Sequence, residues 1–83
     1  METLMAQRPL VVRAKWDDEA NVWVATSDDV PGLVTEAASM DLLVRKLKVM
    51  IPELLDLNGY ADGDEIPFKL VSELEEIAHR ETA

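Results

Sequence analysis

From Leu10 the chain alternates: Leu10, Val12, Ala14 and Trp16 fall on one side, and Val11, Arg13 and Lys15 on the other. A period of two with β-branched residues predicts a half-buried strand. Asp17-Asp18-Glu19-Ala20-Asn21 is a polar connection of hairpin length. Val22 to Thr26 predicts a second strand, with Val22 and Val24 on one face and Trp23 and Ala25 on the other. Both faces are apolar, which places this strand centrally. Val30-Pro31-Gly32-Leu33 fits a type II turn, because Pro31 presets φ at the first central position and Gly32 supplies the positive φ at the second. Leu33 to Ala37 follows as a short third strand, and short links between the three predict an antiparallel meander.

The next segment changes period. Met40, Leu43, Val44, Leu47, Met50, Ile51, Leu54, Leu55 and Leu57 share one arc of a helix, roughly 160° wide at 3.6 residues per turn. Ser39 is a natural N-cap, Asp41 puts a carboxylate in the first turn, and Asn58-Gly59 closes the far end. Pro52 sits inside this span but outside the apolar arc, so the carbonyl it frees at Lys48 reaches water, and one bent helix over about Met40–Leu57 is expected. Ile66, Phe68 and Leu70 alternate with Pro67, Lys69 and Val71 as a fourth strand, which Pro67 assigns to a sheet edge or to the strand's first positions. After it, Ser72-x-x-Glu75 is a capping box and Leu74, Ile77 and Ala78 have helical spacing. A short terminal helix or a loose tail over 73–83 is favoured over a strand continuing through Leu74.

The predicted fold is α+β: a β-β-β-α-β antiparallel sheet with one amphipathic helix packed on one face. Residues 1–83 form one domain, with 1–8 a flexible leader. A domain of this length buries only about 60–65% of its unfolded surface, so its core is thin. One helix covers one sheet face, and the leftover apolar surface predicts self-association, a dimer, or another protein partner. Leu42 and Val49, on the otherwise polar side of the helix, point the same way.

Charge narrows the partner. Seventeen Asp and Glu against eight Lys and Arg give a net charge of −9, which repels phosphate backbones and argues against direct nucleic-acid binding. From Val49 to Ala83 there are nine acids and two bases, a negative surface whose complement is a basic protein. Arg45-Lys46-x-Lys48 is the one basic cluster, and without interleaved aromatic residues it reads as a solvated helix face. No apolar run approaches the roughly 18 residues of a membrane span. The N-terminus has no apolar signal core, so a cytoplasmic location is expected.

Candidate chemistry is sparse. Zero cysteines exclude disulfides, thiolate zinc sites and a cysteine nucleophile. His79 is the only imidazole, placed in the tail beside Arg80 with no partner to activate it. The acids group as Asp17, Asp18, Glu19; Asp28, Asp29; and Asp62, Asp64, Glu65. Read as a calcium loop from Asp56, the chain has Tyr60 and Ala61 at the fifth and glycine positions and Pro67 where the bidentate acid belongs, so it fails. Asp28-Asp29 is the acidic pair best placed for function, although Asp before Pro-Gly ordinarily forms the turn. No catalytic, metal or cofactor site is expected, and the chain reads as no enzyme. The remaining enzymatic alternative is a hydrolase using these carboxylates with Mg²⁺.

The run Val22-Trp23-Val24-Ala25-Thr26-Ser27-Asp28-Asp29-Val30-Pro31-Gly32-Leu33-Val34-Thr35-Glu36-Ala37 resembles the core signature of the HicB-like antitoxin superfamily. With Trp16-Asp17, Ile51-Pro52-Glu53-Leu54-Leu55 and Asn58-Gly59, it is similar to a short HicB-like family of unknown function. The likeness spans about Leu10 to Phe68. It implies a partial ribonuclease-H-like β-β-β-α-β fold without catalytic carboxylates. In full antitoxins that domain blocks HicA, a small basic toxin that cleaves RNA with a histidine, while a separate C-terminal domain binds operator DNA. Fifteen residues follow Phe68, too few for a helix-turn-helix, so DNA binding by this chain is not expected. The resulting expectation is an antitoxin-like protein-binding domain, with Trp16, Trp23, Asp28, Asp29, Leu42 and Val49 as the partner-binding residues. The alternative is a homodimeric structural or small-ligand-sensing module with no toxin.

Overall fold

Leu10–Asp17 (β1), Val22–Thr26 (β2) and Val34–Ala37 (β3) form an antiparallel meander in the computed structural model, which describes residues 8–60, 63 and 65–81. The helix α1 spans Met40–Leu57, and Phe68–Glu73 (β4) completes one four-stranded sheet of order β3-β2-β1-β4. Residues 1–7 of the expected leader, and Asp62 and Asp64 of the third acid group, lie outside the described residues.

The meander is closed by side chains as much as by its ladder. Asp17 Oδ1 accepts from the N–H groups of Glu19 (3.0 Å) and Ala20 (3.3 Å), and Asn21 takes the left-handed conformation (φ 56°) that turns the chain into β2. At the other end, Leu33 N–H donates to the Val30 carbonyl (3.1 Å) around Gly32 at φ 85°, the turn the Pro-Gly pair predicts.

The helix has its expected bounds and caps. Ser39 Oγ accepts from Leu42 N–H at 3.2 Å. At the C-terminus, Gly59 at φ 80° lets its own N–H reach the Asp56 carbonyl and the Tyr60 N–H reach that of Leu55 (2.9 Å), a Schellman closure. The helix continues unbroken through Pro52. Leu43, Leu47, Ile51 and Leu55 are buried, with Met40, Met50 and Leu54 packed at the margins. Leu57, counted in the apolar arc, is 80% exposed: the sheet no longer lies beneath the last helical residue.

Beneath the helix the sheet offers small residues. Ala14 and Ala25 face each other across β1 and β2, both fully buried, and Ala37 lies buried on β3. These alanines let α1 approach closely, and its leucines fill the space to Val12, Val30 and Leu33. The even-numbered side of β1, the apolar side of its alternation, therefore faces the helix, and of the two apolar faces of β2 it is the odd-numbered one that does so.

β4 departs from expectation in two ways. It runs parallel to β1, pairing Leu10 with Phe68 through Lys15 with Glu73, so the sheet is mixed rather than wholly antiparallel. An 18-residue helix is about 27 Å long, enough to return the chain to the end of the sheet where β1 and β3 begin. The next strand must then run alongside them in the same direction. The strand also extends through Ser72 and Glu73, and residues 74–81 are neither helix nor strand, so of the two forms expected for the tail the described residues show no helix. An isolated helix of two turns is marginal in water, whereas the free edge of β1 offers a continuous ladder.

Candidate protein-binding surface

The hairpin end of the sheet brings together both tryptophans and the acids Asp17, Asp18 and Glu19. Trp16 and Trp23 are directly opposed across β1 and β2, their ring centroids 5.3 Å apart at 63°, an edge-to-face pair. Trp23 packs against the core beside Ala37, its β3 neighbour. Trp16 is half-buried and lines an open groove of about 580 Å³ with Lys15, Asp18, Glu73, Leu74, Glu75 and Ile77.

This groove exists because the chain beyond β4 keeps running past the hairpin. After Glu73, which pairs with Lys15, the segment carries Leu74 (55% exposed) and Ile77 (79% exposed) to the wall opposite Trp16. Trp16, Leu74 and Ile77 share the lining with Asp18, Glu73 and Glu75, and Lys15 is the one cation among them. A lining of that net sign beside an indole suits a cationic side chain, which gains from both the carboxylates and the ring face.

The other candidate residues do not join it. Asp28 and Asp29 lie at the opposite end of β2, roughly 16 Å from Trp23 at 3.3 Å per residue. Asp29 is engaged in the fold: its Oδ2 accepts from Val11 N–H (2.8 Å), and its own N–H donates to Ser27 Oγ (3.0 Å). Ser27 Oγ in turn donates to the Val11 carbonyl (2.6 Å). Ser27 and Asp29 thus pair the first β1 peptide that lies beyond the end of β2. Asp28 is exposed. Leu42 (47% exposed) and Val49 (59% exposed) stand on the solvent side of α1, away from the tryptophans.

Glu73, Leu74, Glu75 and Ile77 carry no signal from sequence alone that would join them to Trp16. Their place depends on which strand β4 pairs with and in which register. His79 lies in the exposed segment after β4. Among the described residues no three His, Cys, Asp or Glu side chains are grouped to hold a metal ion, and no helix is long and apolar enough to cross a membrane.

Comparison with known proteins matches residues 9–80 to the family described as Domain of unknown function (DUF1902). The chain belongs to that family. The DUF1902 match runs on past β4, so the segment that walls the Trp16 groove is part of the family domain. A solved structure of a hypothetical protein from the extremely thermophilic bacterium Thermus thermophilus is similar, with 53% identity and a TM-score of 0.67. The similarity covers 88% of this chain and all of the other. No curated protein matches this DUF1902 chain.

Proposed function

We propose that this DUF1902 domain is a HicB-like, non-enzymatic, antitoxin-like protein-binding module whose acidic hairpin end engages a small basic protein. One observation carries the reading: Trp16 and two exposed aliphatic side chains line a groove together with three carboxylates and one amine. Hot spots of protein interfaces are of this kind, an aromatic anchor inside a polar rim. The resemblance to HicB-like antitoxins supplies the partner's class, a basic RNA-cleaving toxin, and with it a cytoplasmic location. The net charge of −9 supports steering of a basic partner and opposes direct contact with nucleic acid.

Co-expression with the product of a neighbouring small basic reading frame tests this. The two chains should co-purify, the domain should suppress any toxicity of the basic product, and Trp16→Ala should weaken both effects. A basic product that stays fully toxic and never co-purifies removes the reading. The second reading, a homodimeric structural or small-ligand-sensing module with no toxin, draws on a different feature: the β4 edge of the sheet, which no other described element covers. A stable dimer in a genome with no small basic neighbour would favour it.

A further inference from the structure

The sheet has two edges, and the fold treats them differently. β3 is four residues long, and the Glu36 carbonyl on it is taken by Lys46 Nζ from the helix. A short strand with a lysine laid across its rim is protected against pairing with another chain. β4 has six residues, and among the described elements it contacts β1 alone. Leu10 N–H donates to the Pro67 carbonyl (3.0 Å), so in the parallel register the odd-numbered β4 peptides point to β1. The even-numbered ones, Phe68, Leu70 and Ser72, then point outward from the sheet. Pro67, which lacks an N–H, has its missing donor on the inner side and leaves the outer rim intact.

We propose that β4 is the contact between two copies of this chain, paired antiparallel about a two-fold axis at Val71. Outward peptides must meet outward peptides, so Leu70 opposes Ser72 of the second copy, and Phe68 opposes its Leu74. Val71 then meets its own symmetry mate. Lys69 falls opposite Glu73 of the other copy, and the two-fold repeats that ion pair. Sliding the pairing by one step of this alternation, toward the start of the strand, sets Lys69 against Val71 and Glu73 against Pro67. Sliding it the other way sets Lys69 against Glu75 but Glu73 against Val71, which parts the two valines. Only the central register joins opposite charges while keeping valine on valine.

Packing on the helix side agrees. α1 lies over β2 and β3, and Phe68 and Leu70 on β4 are only partly buried while Leu74 is 55% exposed. The central register brings Phe68 of each copy against Leu74 of the other, covering both. The result is a continuous eight-stranded sheet, and it leaves Trp16 on the inner strand. This pairing deepens the self-associating reading above and is independent of any basic partner. A dimer built on β4 with no toxin bound would retain it while the antitoxin-like reading fails.

The absence of cysteine provides the test. Val71→Cys places one thiol on the axis, where non-hydrogen-bonded Cα atoms lie about 4.5 Å apart, within disulfide range. Mild oxidation should link the Val71→Cys chains into covalent dimers. Val34→Cys, on the β3 edge, should remain uncrosslinked under the same conditions. Sedimentation of the unmodified protein should show a dimer, and Lys69→Glu, which sets like charges against each other twice, should raise its dissociation constant by about tenfold. Circular dichroism checks that each variant stays folded. A strictly monomeric parent, or equal crosslinking of Val34→Cys and Val71→Cys, overturns the proposal.

Discussion

The Asp29 carboxylate accepts the backbone N–H of Val11 at 2.8 Å, joining the turn after β2 to the start of β1. Asp29 is thereby a structural residue, although it sits in the part of the sequence that looks most like a functional signature. Its neighbour Asp28 is exposed.

Asp29→Ala should therefore destabilise the domain by about 1 kcal/mol, the usual worth of such a bond, while Asp28→Ala stays near zero. For a chain of this size the first change lowers Tm by about 5 °C. Paired thermal melts check it, and equal melting temperatures would show that the Val11 contact contributes nothing.

Gly32 separates two causes of destabilisation. A Cβ added there would meet its nearest atom, Leu54 Cδ2, at 3.7 Å, ordinary contact distance, so space is not limiting. The backbone at φ 85° is. Gly32→Ala should lose about 1 kcal/mol or more, and Gly32→Asn, which tolerates the left-handed region better, should lose less. Denaturant midpoints that rank the two variants the other way would contradict this.

Leu47 and Leu57 share the helix and the residue type but not the environment, with 0% and 80% of their surface exposed. Leu47→Ala should cost about 2–5 kcal/mol, which approaches the total stability of a chain this short. Leu57→Ala should fall within about 0.5 kcal/mol of the parent. Urea unfolding distinguishes them.

Trp16 and Trp23 form one pair with two jobs. Trp23 is packed on the core, so Trp23→Ala should unfold the hairpin end and lower stability more than Trp16→Ala does. Trp16→Ala should instead weaken capture of the proposed basic partner by about 2 kcal/mol, roughly thirtyfold in Kd, a hot-spot value. Calorimetric titration of the partner beside a thermal melt of each variant reads both effects.

How far the sequence discloses this molecule depends on how local the deciding interaction is. The alternation in β1 and β2, the Pro31-Gly32 turn and the limits of α1 each follow from neighbours within a few positions, and each is found as expected. Ser72 and Glu75 carry an equally good local helix signal, yet Ser72 pairs with Ala14 in the sheet, because the available edge of β1 is a distant fact. The groove beside Trp16 is hidden for the same reason. Leu74 and Ile77 become its wall only once the parallel register is set, and spacing along the chain does not encode that. The six proposed contact residues are consequently scattered over three regions: the hairpin end, the turn near Val11 and the outer helix face.

The parallel seam between β1 and β4 joins the first strand of the domain to the last. During synthesis β1 emerges from the ribosome long before β4 does, and its outer rim has to wait unpaired while the meander and helix assemble. A chain interrupted before Phe68 would carry nearly all of its buried leucines and still expose Val12 and Ala14 at a raw margin. Quality control would meet that species as a sticky fragment, which makes translation through Phe68–Glu73 decisive for whether the product survives.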